Sequence, residues 1–173
     1  SLRCCKVIVR YAIGVDNIDL KAAEERGIYV CNVPDYSIDE VSNMAIALLL
    51  DCAKKLTYLA SQVKQGNCSY TVVKPLYRME GKTLGLVGFG RIPQAVAKKM
   101  AGFGLQMLTY DPMVNEAAAK ELGVTPVSLE ELLERSDYVS VHCPLLPATR
   151  HMFDREAFGK MKPTAVFINT ARG

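Results

Sequence analysis

The run Leu84-Gly-Leu-Val-Gly-Phe-Gly-Arg-Ile-Pro takes an apolar strand through a glycine turn directly into a helix, and few folds accept that order. Gly88 permits the tight turn, and Gly90 lets the backbone approach a pyrophosphate with no Cβ in the way. The N–H groups of the first helical turn, near Arg91 and Ile92, can then face the phosphates. Asp111 follows Gly90 by 21 residues, just past a second strand at 105–110. A carboxylate there accepts hydrogen bonds from a ribose hydroxyl and repels a 2′-phosphate, which favours NAD over NADP. One position departs from the pattern, because Pro93 stands where a third glycine is usual. Proline is tolerated in a first helical turn, but its ring fills space that glycine leaves for helix–strand packing. A slightly displaced helix start and a weakened grip on the dinucleotide are therefore expected.

Beyond Gly81 the chain alternates short strands with helices. Strands are expected at 83–88, 105–110, 124–127, 138–142 and 165–169, with helices at 92–103, 116–122, 129–135 and 154–161. Ser128 caps the third of these helices, with Glu131 at the reciprocal capping-box position. The alternation predicts an α/β fold, a Rossmann-type doubly wound parallel sheet with helices on both faces. Upstream, strands at 6–10 and 28–32 flank a helix stopped by Gly27, a single βαβ unit too small to bury a core. Ser37 stands three residues before Glu40, again a capping-box spacing. The helix it opens is expected to run unbroken toward Gln65, about 40 Å at 1.5 Å per residue. Residues 66–80 show no clean period and read as an irregular arm.

A formal charge of +3, with basic residues scattered among acidic ones, excludes the basic stripe of a nucleic-acid surface. The longest apolar run, 44–50, is far short of a membrane span. No signal-peptide layout is present at the start. The six cysteines form neither a C-x-x-C pair nor a metal-binding spacing. They read as small structural hydrophobes of a cytoplasmic protein, with no metal site.

Five segments in order carry a resemblance: Gly14-Val-Asp-Asn-Ile-Asp, Arg26-Gly-Ile-Tyr-Val-Cys-Asn-Val-Pro, Gly81-Lys-Thr-Leu-Gly-Leu-Val-Gly-Phe-Gly-Arg-Ile, Val141-His-Cys-Pro-Leu-Leu-Pro-Ala-Thr-Arg and Ile168-Asn-Thr-Ala-Arg-Gly. Together they resemble the D-isomer-specific 2-hydroxyacid dehydrogenases, in particular the D-3-phosphoglycerate dehydrogenase branch. The resemblance implies that 1–36 are the tail of a second, substrate α/β domain and that 37–80 form a hinge-crossing helix and a dimer-contacting arm. Residues 81–173 are then an incomplete NAD-binding Rossmann domain. It implies NAD as cofactor, contacted by Gly88, Gly90, Arg91, Ile92 and Asp111, by the backbone at Cys143 and Pro144, and by Thr170 and Ala171. It implies a small 2-hydroxy or 2-keto acid as substrate and a homodimer, with no nucleic-acid or membrane partner. Gly14 and its neighbours would offer N–H groups to the substrate carboxylate. Arg10 is balanced between a substrate contact and a solvent-facing strand-end charge. Arg172 matches the catalytic arginine, whose guanidinium pairs with the substrate carboxylate and polarises the carbonyl during hydride transfer.

The resemblance also implies an acid–base histidine and a partnering glutamate, both placed after the Asn-Thr-Ala-Arg-Gly segment. His142 ends a buried strand and His151 reads as a surface residue, so neither fills that role. The chain is accordingly expected to be a central segment of a longer protein, without turnover on its own. Ala12 replaces a glycine usual in the substrate loop, and Met44 reads as a core methionine. An alternative within the same family is a dimeric, NAD-sensing corepressor-type binding protein. A family member retained as a structural subunit is a third reading, mildly favoured by Pro93 and Ala12.

Overall fold

The computed structural model describes residues 4–172, so Gly173, the last residue of the fifth segment above, lies outside them. The chain forms two units, one ending at Asp39 and the other beginning at Glu40.

The first unit is a single βαβ. Strand β1 (Val7–Val9) pairs in parallel with β2 (Tyr29–Cys31), Val7 opposite Tyr29. Helix α1 (Leu20–Glu24) starts because the Asp19 carboxylate accepts the Ala22 N–H at 2.9 Å, and it ends where Gly27 adopts a φ of +64°. Of its apolar side chains Ala23 and Ile28 are buried, whereas Val7, Val9 and Tyr29 stand exposed. Two strands and one short helix enclose too little surface to do better.

The second unit is built on a five-stranded parallel sheet. Its strands are β3 (Thr83–Val87), β4 (Gln106–Tyr110), β5 (Val124–Pro126), β6 (Tyr138–Val141) and β7 (Val166–Asn169), in the order β5-β4-β3-β6-β7. This is the expected doubly wound sheet. Every residue of β3 and β6 is buried, as central strands covered on both faces must be. Leu84 and Leu86 point to one face, joining Ala45 and Leu49 with Val96 and Met100 of α4 (Arg91–Met100). Val87, Val139 and Val141 point to the other, against Leu132 and Leu133 of α6 (Leu129–Arg135). Helices α5 (Glu116–Glu121) and α7 (Arg155–Lys160) complete the two layers, capped by the side chains of Asn115 and Asp154.

Four expectations are corrected. The long helix is broken into α2 (Ile38–Lys54) and α3 (Leu56–Lys64) by Lys55, which sits in the left-handed region at φ +55°. A carboxylate one turn upstream explains the break. Asp51 accepts the Thr57 N–H at 2.7 Å and the Thr57 hydroxyl at 2.6 Å, giving that backbone a partner other than the helix. Met44 is exposed, because α2 buries the stripe Ser42, Ala45 and Leu49 and turns Met44 away from it. The cysteines are not core residues either: Cys4, Cys31, Cys52 and Cys68 are exposed, and Cys5 and Cys143 are half-buried. Lastly, Ser128 does accept the Glu131 N–H at 3.1 Å, but the Glu131 carboxylate is engaged with Arg135 one turn on.

Among the described residues no helix is long and apolar enough to cross a membrane, and no cluster of side chains is suited to hold a metal ion.

Candidate dinucleotide site

The sheet reverses its winding direction between β3 and β6, and in such folds the crevice beyond the strand ends at that point receives ligands. Gly88 and Cys143 meet there. Gly88 has a φ of +89°, and a Cβ on it would lie 3.1 Å from the Cys143 nitrogen, so both the turn and the close approach demand glycine. The Gly88 N–H donates to the Tyr110 carbonyl and the His142 N–H to that of Val87, each at 2.8 Å, extending the sheet ladder to the rim of the crevice.

Gly90 is the N-cap of α4 and has no side chain with which to cap it. The N–H groups of that first turn have no intrahelical acceptor. A Cβ built on Gly90 meets no protein atom within 4 Å. Nothing within the chain itself requires glycine there, and a side-chain-free approach to that helix start is what a cradle for a phosphate uses. Arg91 is exposed and Ile92 half-buried on this turn. Pro93 is fully buried at the third helical position, and the Gln94 N–H still reaches the Gly90 carbonyl at 3.2 Å, the long end of the ordinary range.

Asp111 closes one side. One carboxylate oxygen accepts the Phe89 N–H at 2.7 Å and the other the Met113 N–H at 2.8 Å. Each oxygen keeps a further lone pair, enough for a ribose diol. The Cys143 thiol is pushed up chiefly by burial, which outweighs a backbone hydrogen bond that lowers it, with a smaller upward push from the nearby Asp111 charge, so it stays protonated. Its loop is stapled by Thr149, whose hydroxyl donates to the Pro144 carbonyl at 2.6 Å and accepts the Leu146 N–H at 2.8 Å.

At the end of β7 the Asn169 side chain accepts the Ala171 N–H at 2.9 Å and donates to the Arg172 carbonyl at 2.7 Å. The Ala171 N–H is therefore already engaged, while the buried Thr170 hydroxyl has no partner within the described residues. Arg172 is exposed and lines an open groove of about 860 Å³ with Leu145, Leu146, Arg150, His151 and Phe153. Thus Gly88, Gly90, Arg91, Ile92, Asp111, Cys143, Pro144, Thr170, Ala171 and Arg172 all lie at or just beyond the carboxyl ends of the sheet strands. Arg10 and Gly14 belong to the first unit. The Arg10 Nε is buried without a partner among the described residues, and half-buried Gly14 sits in the loop between β1 and α1.

Two residues of the site were not singled out from sequence. Asn169 fixes the turn that carries Arg172, and an Asn two residues before a small residue at a strand end is a recognisable Asx-turn signal. Gln94 donates from its side chain to the Phe89 carbonyl at 2.8 Å, and nothing in a helical glutamine announces that.

His142 sets a pH limit on this region. Burial pushes its imidazole down to about 4, and its Nε2 lies 2.9 Å from the Ser140 hydroxyl. The ordinary value, 6.5, applies when the chain is unfolded. Between these values the unfolded chain binds the extra proton, so stability falls as pH drops from about 6.5 toward 4, with no further loss from this group below that. Urea unfolding at pH 7 and pH 5 should show the fall, and His142→Gln should flatten it; equal slopes for parent and variant would contradict the assignment.

Comparison with known proteins places these features in context. Residues 46–173 match the family model described as the NAD-binding domain of D-isomer specific 2-hydroxyacid dehydrogenase. The chain is 43% identical over 171 residues to a glyoxylate reductase of Korarchaeum cryptofilum, covering 97% of this chain and 52% of that protein. It is 40% identical to a D-3-phosphoglycerate dehydrogenase of Methanocaldococcus jannaschii, covering 97% and 32%. Among solved structures, D-lactate dehydrogenase from Aquifex aeolicus, complexed with NAD and lactic acid, superposes with a TM-score of 0.89 at 37% identity, covering 97% of this chain and 50% of that one. The chain spans about half the length, or less, of these relatives.

Proposed function

We propose, because this chain belongs to the D-isomer specific 2-hydroxyacid dehydrogenase family, that the protein carrying it transfers a hydride between a nicotinamide and C2 of a D-2-hydroxy acid, in the manner of a 3-phosphoglycerate dehydrogenase. The observation that carries the proposal is the convergence of an uncapped glycine turn, the Asp111 carboxylate and the Arg172 groove on one edge of the sheet. NAD supplies the hydride acceptor in one direction and, reduced, the donor in the other.

The chain's own residues then divide the remaining work. The first turn of α4 binds the pyrophosphate through its N–H groups. Asp111 accepts the adenosine ribose hydroxyls and excludes a 2′-phosphate by charge. The Cys143–Pro144 backbone and the Thr170 hydroxyl border the cofactor, with Thr170 offering a buried side-chain group unmatched among the described residues at the end of β7. Arg172 holds the substrate carboxylate and draws electron density from the carbonyl. Arg10 and the Gly14 loop are proposed as further substrate contacts.

Reduction of glyoxylate, hydroxypyruvate, pyruvate and 3-phosphohydroxypyruvate with NADH is the direct test, and no turnover with any of them would overturn the reading. For the cofactor, NADPH is expected to bind about 10–100-fold more weakly than NADH, from one repelled phosphate beside a carboxylate. Competitive titration followed by nicotinamide fluorescence measures the ratio.

A homodimer is part of the proposal. Met44, Leu48, Tyr58, Val63, Tyr70 and Leu76 leave large apolar side chains exposed along α2, α3 and the following arm, the kind of surface that marks an association site. Sedimentation equilibrium decides this. The six free thiols suit a reducing, cytoplasmic setting.

A further inference from the structure

We infer that Gln94 is a positioning residue for the dinucleotide, setting the direction of the Gly90 N–H before any ligand arrives; this rests on the dinucleotide reading above. Two adjacent peptide units form the floor of the glycine turn. The first joins Gly88 to Phe89, and its N–H is held by Asp111 at 2.7 Å. The second joins Phe89 to Gly90, and its carbonyl is held by the Gln94 side-chain amide at 2.8 Å. A trans peptide is planar with its N–H and C=O opposed. Holding the Phe89 carbonyl toward Gln94 therefore turns the Gly90 N–H the opposite way.

Gln94 is well placed to do this because the chain around it is rigid. It is half-buried on the first turn of α4, directly after the fully buried Pro93, and its own N–H closes the helix on the Gly90 carbonyl. Pro93 also has no N–H, so the first turn offers one donor fewer than usual. The direction of the Gly90 N–H matters more in this chain for that reason. Glycine on one side of the Phe89–Gly90 unit gives it freedom to rotate, and the Gln94 amide removes that freedom. An oriented donor binds an anion more tightly than one that must be turned first.

The 173-residue chain, its Gln94→Leu variant (similar volume, no donor) and its Gln94→Ala variant (a helix-favouring residue) provide the test. NADH, ADP and adenosine are the probes, titrated by NMR. Both variants should lose about tenfold in affinity for NADH and ADP, the value of one hydrogen bond. Adenosine, which has no phosphate, should bind all three proteins alike, a split that general loosening of the fold would not produce. The residual dipolar coupling of the Gly90 N–H, which reports its direction, should change in both variants. NADH and ADP affinities within twofold of the parent, or an unchanged Gly90 coupling, would overturn the inference. If the parent binds neither NADH nor ADP, the dinucleotide reading fails, and the Gly90 coupling alone still decides whether Gln94 sets the turn.

Discussion

Replacing Arg172 by alanine should lower kcat/KM for 2-keto acid reduction by about 10²–10³-fold, roughly 3–4 kcal/mol of transition-state stabilisation. The assay belongs in the protein that carries this chain. Arg172 exposes its guanidinium on the groove beyond β7, and its carbonyl accepts from the Asn169 amide, whose oxygen accepts the Ala171 N–H just before it. Its guanidinium also donates from Nη1 to the Ala171 carbonyl at 2.9 Å. A guanidinium offers two parallel donors to a carboxylate and remains charged throughout the working pH range. Lysine supplies the charge without the fork, so Arg172→Lys should recover only part of the loss. Retention of more than a tenth of kcat/KM by Arg172→Ala would remove Arg172 from the mechanism.

Gly85→Val should destabilise the second unit by about 3 kcal/mol or more, at the upper end of what overpacking costs. Gly85 lies in the middle of β3, the central strand, on the face covered by α6. A Cβ there would stand 2.4 Å from the Ser136 hydroxyl oxygen and 2.5 Å from a Leu132 methyl, distances real contacts do not reach. Leu132 is fully buried, so α6 itself must retreat from the sheet. Gly85→Ala meets the same two atoms with one carbon and should cost about 1–3 kcal/mol. Cutting Leu132 to alanine in the Gly85→Ala background should then cost less than it does in the parent, because the cavity is already filled. Thermal unfolding of the four proteins measures the coupling; additive losses would mean that the clash lies elsewhere.

That contact shows where sequence reading stopped. A missing Cβ for close helix–strand packing was sought at position 93, where the chain has proline, whereas it is found at Gly85 on the opposite face of the sheet. The strands and most helix starts were legible because they are local. Asp19, Ser128 and Asp154 each cap the helix directly after them, and the strands are short apolar runs between turn residues. The glycine turn and Asp111 were legible because backbone geometry and charge left few residue types open. Gln94 and Asn169 were not, since their amides act on backbone atoms that only the folded turn brings near. The exposure of Met44 and Cys52 was misread for a related reason: α2 is apolar around much of its circumference, and periodicity cannot say which side has a neighbour.

The break at Lys55 carries a consequence for how the chain can change over evolutionary time. A bend imposed by proline is written into the covalent chain, but this one is imposed by a carboxylate and a hydroxyl six residues apart. The surrounding residues are compatible with a straight helix, and the left-handed lysine is a conformation that a side chain adopts only under constraint. One substitution at Asp51 or Thr57 thus shifts the balance toward continuous helix, and a glycine at 55 shifts it the other way. The heading of α3 out of α2 is set by a reversible, two-bond fastening, a place where descent can redirect that helix without rebuilding the sheet packed against α2.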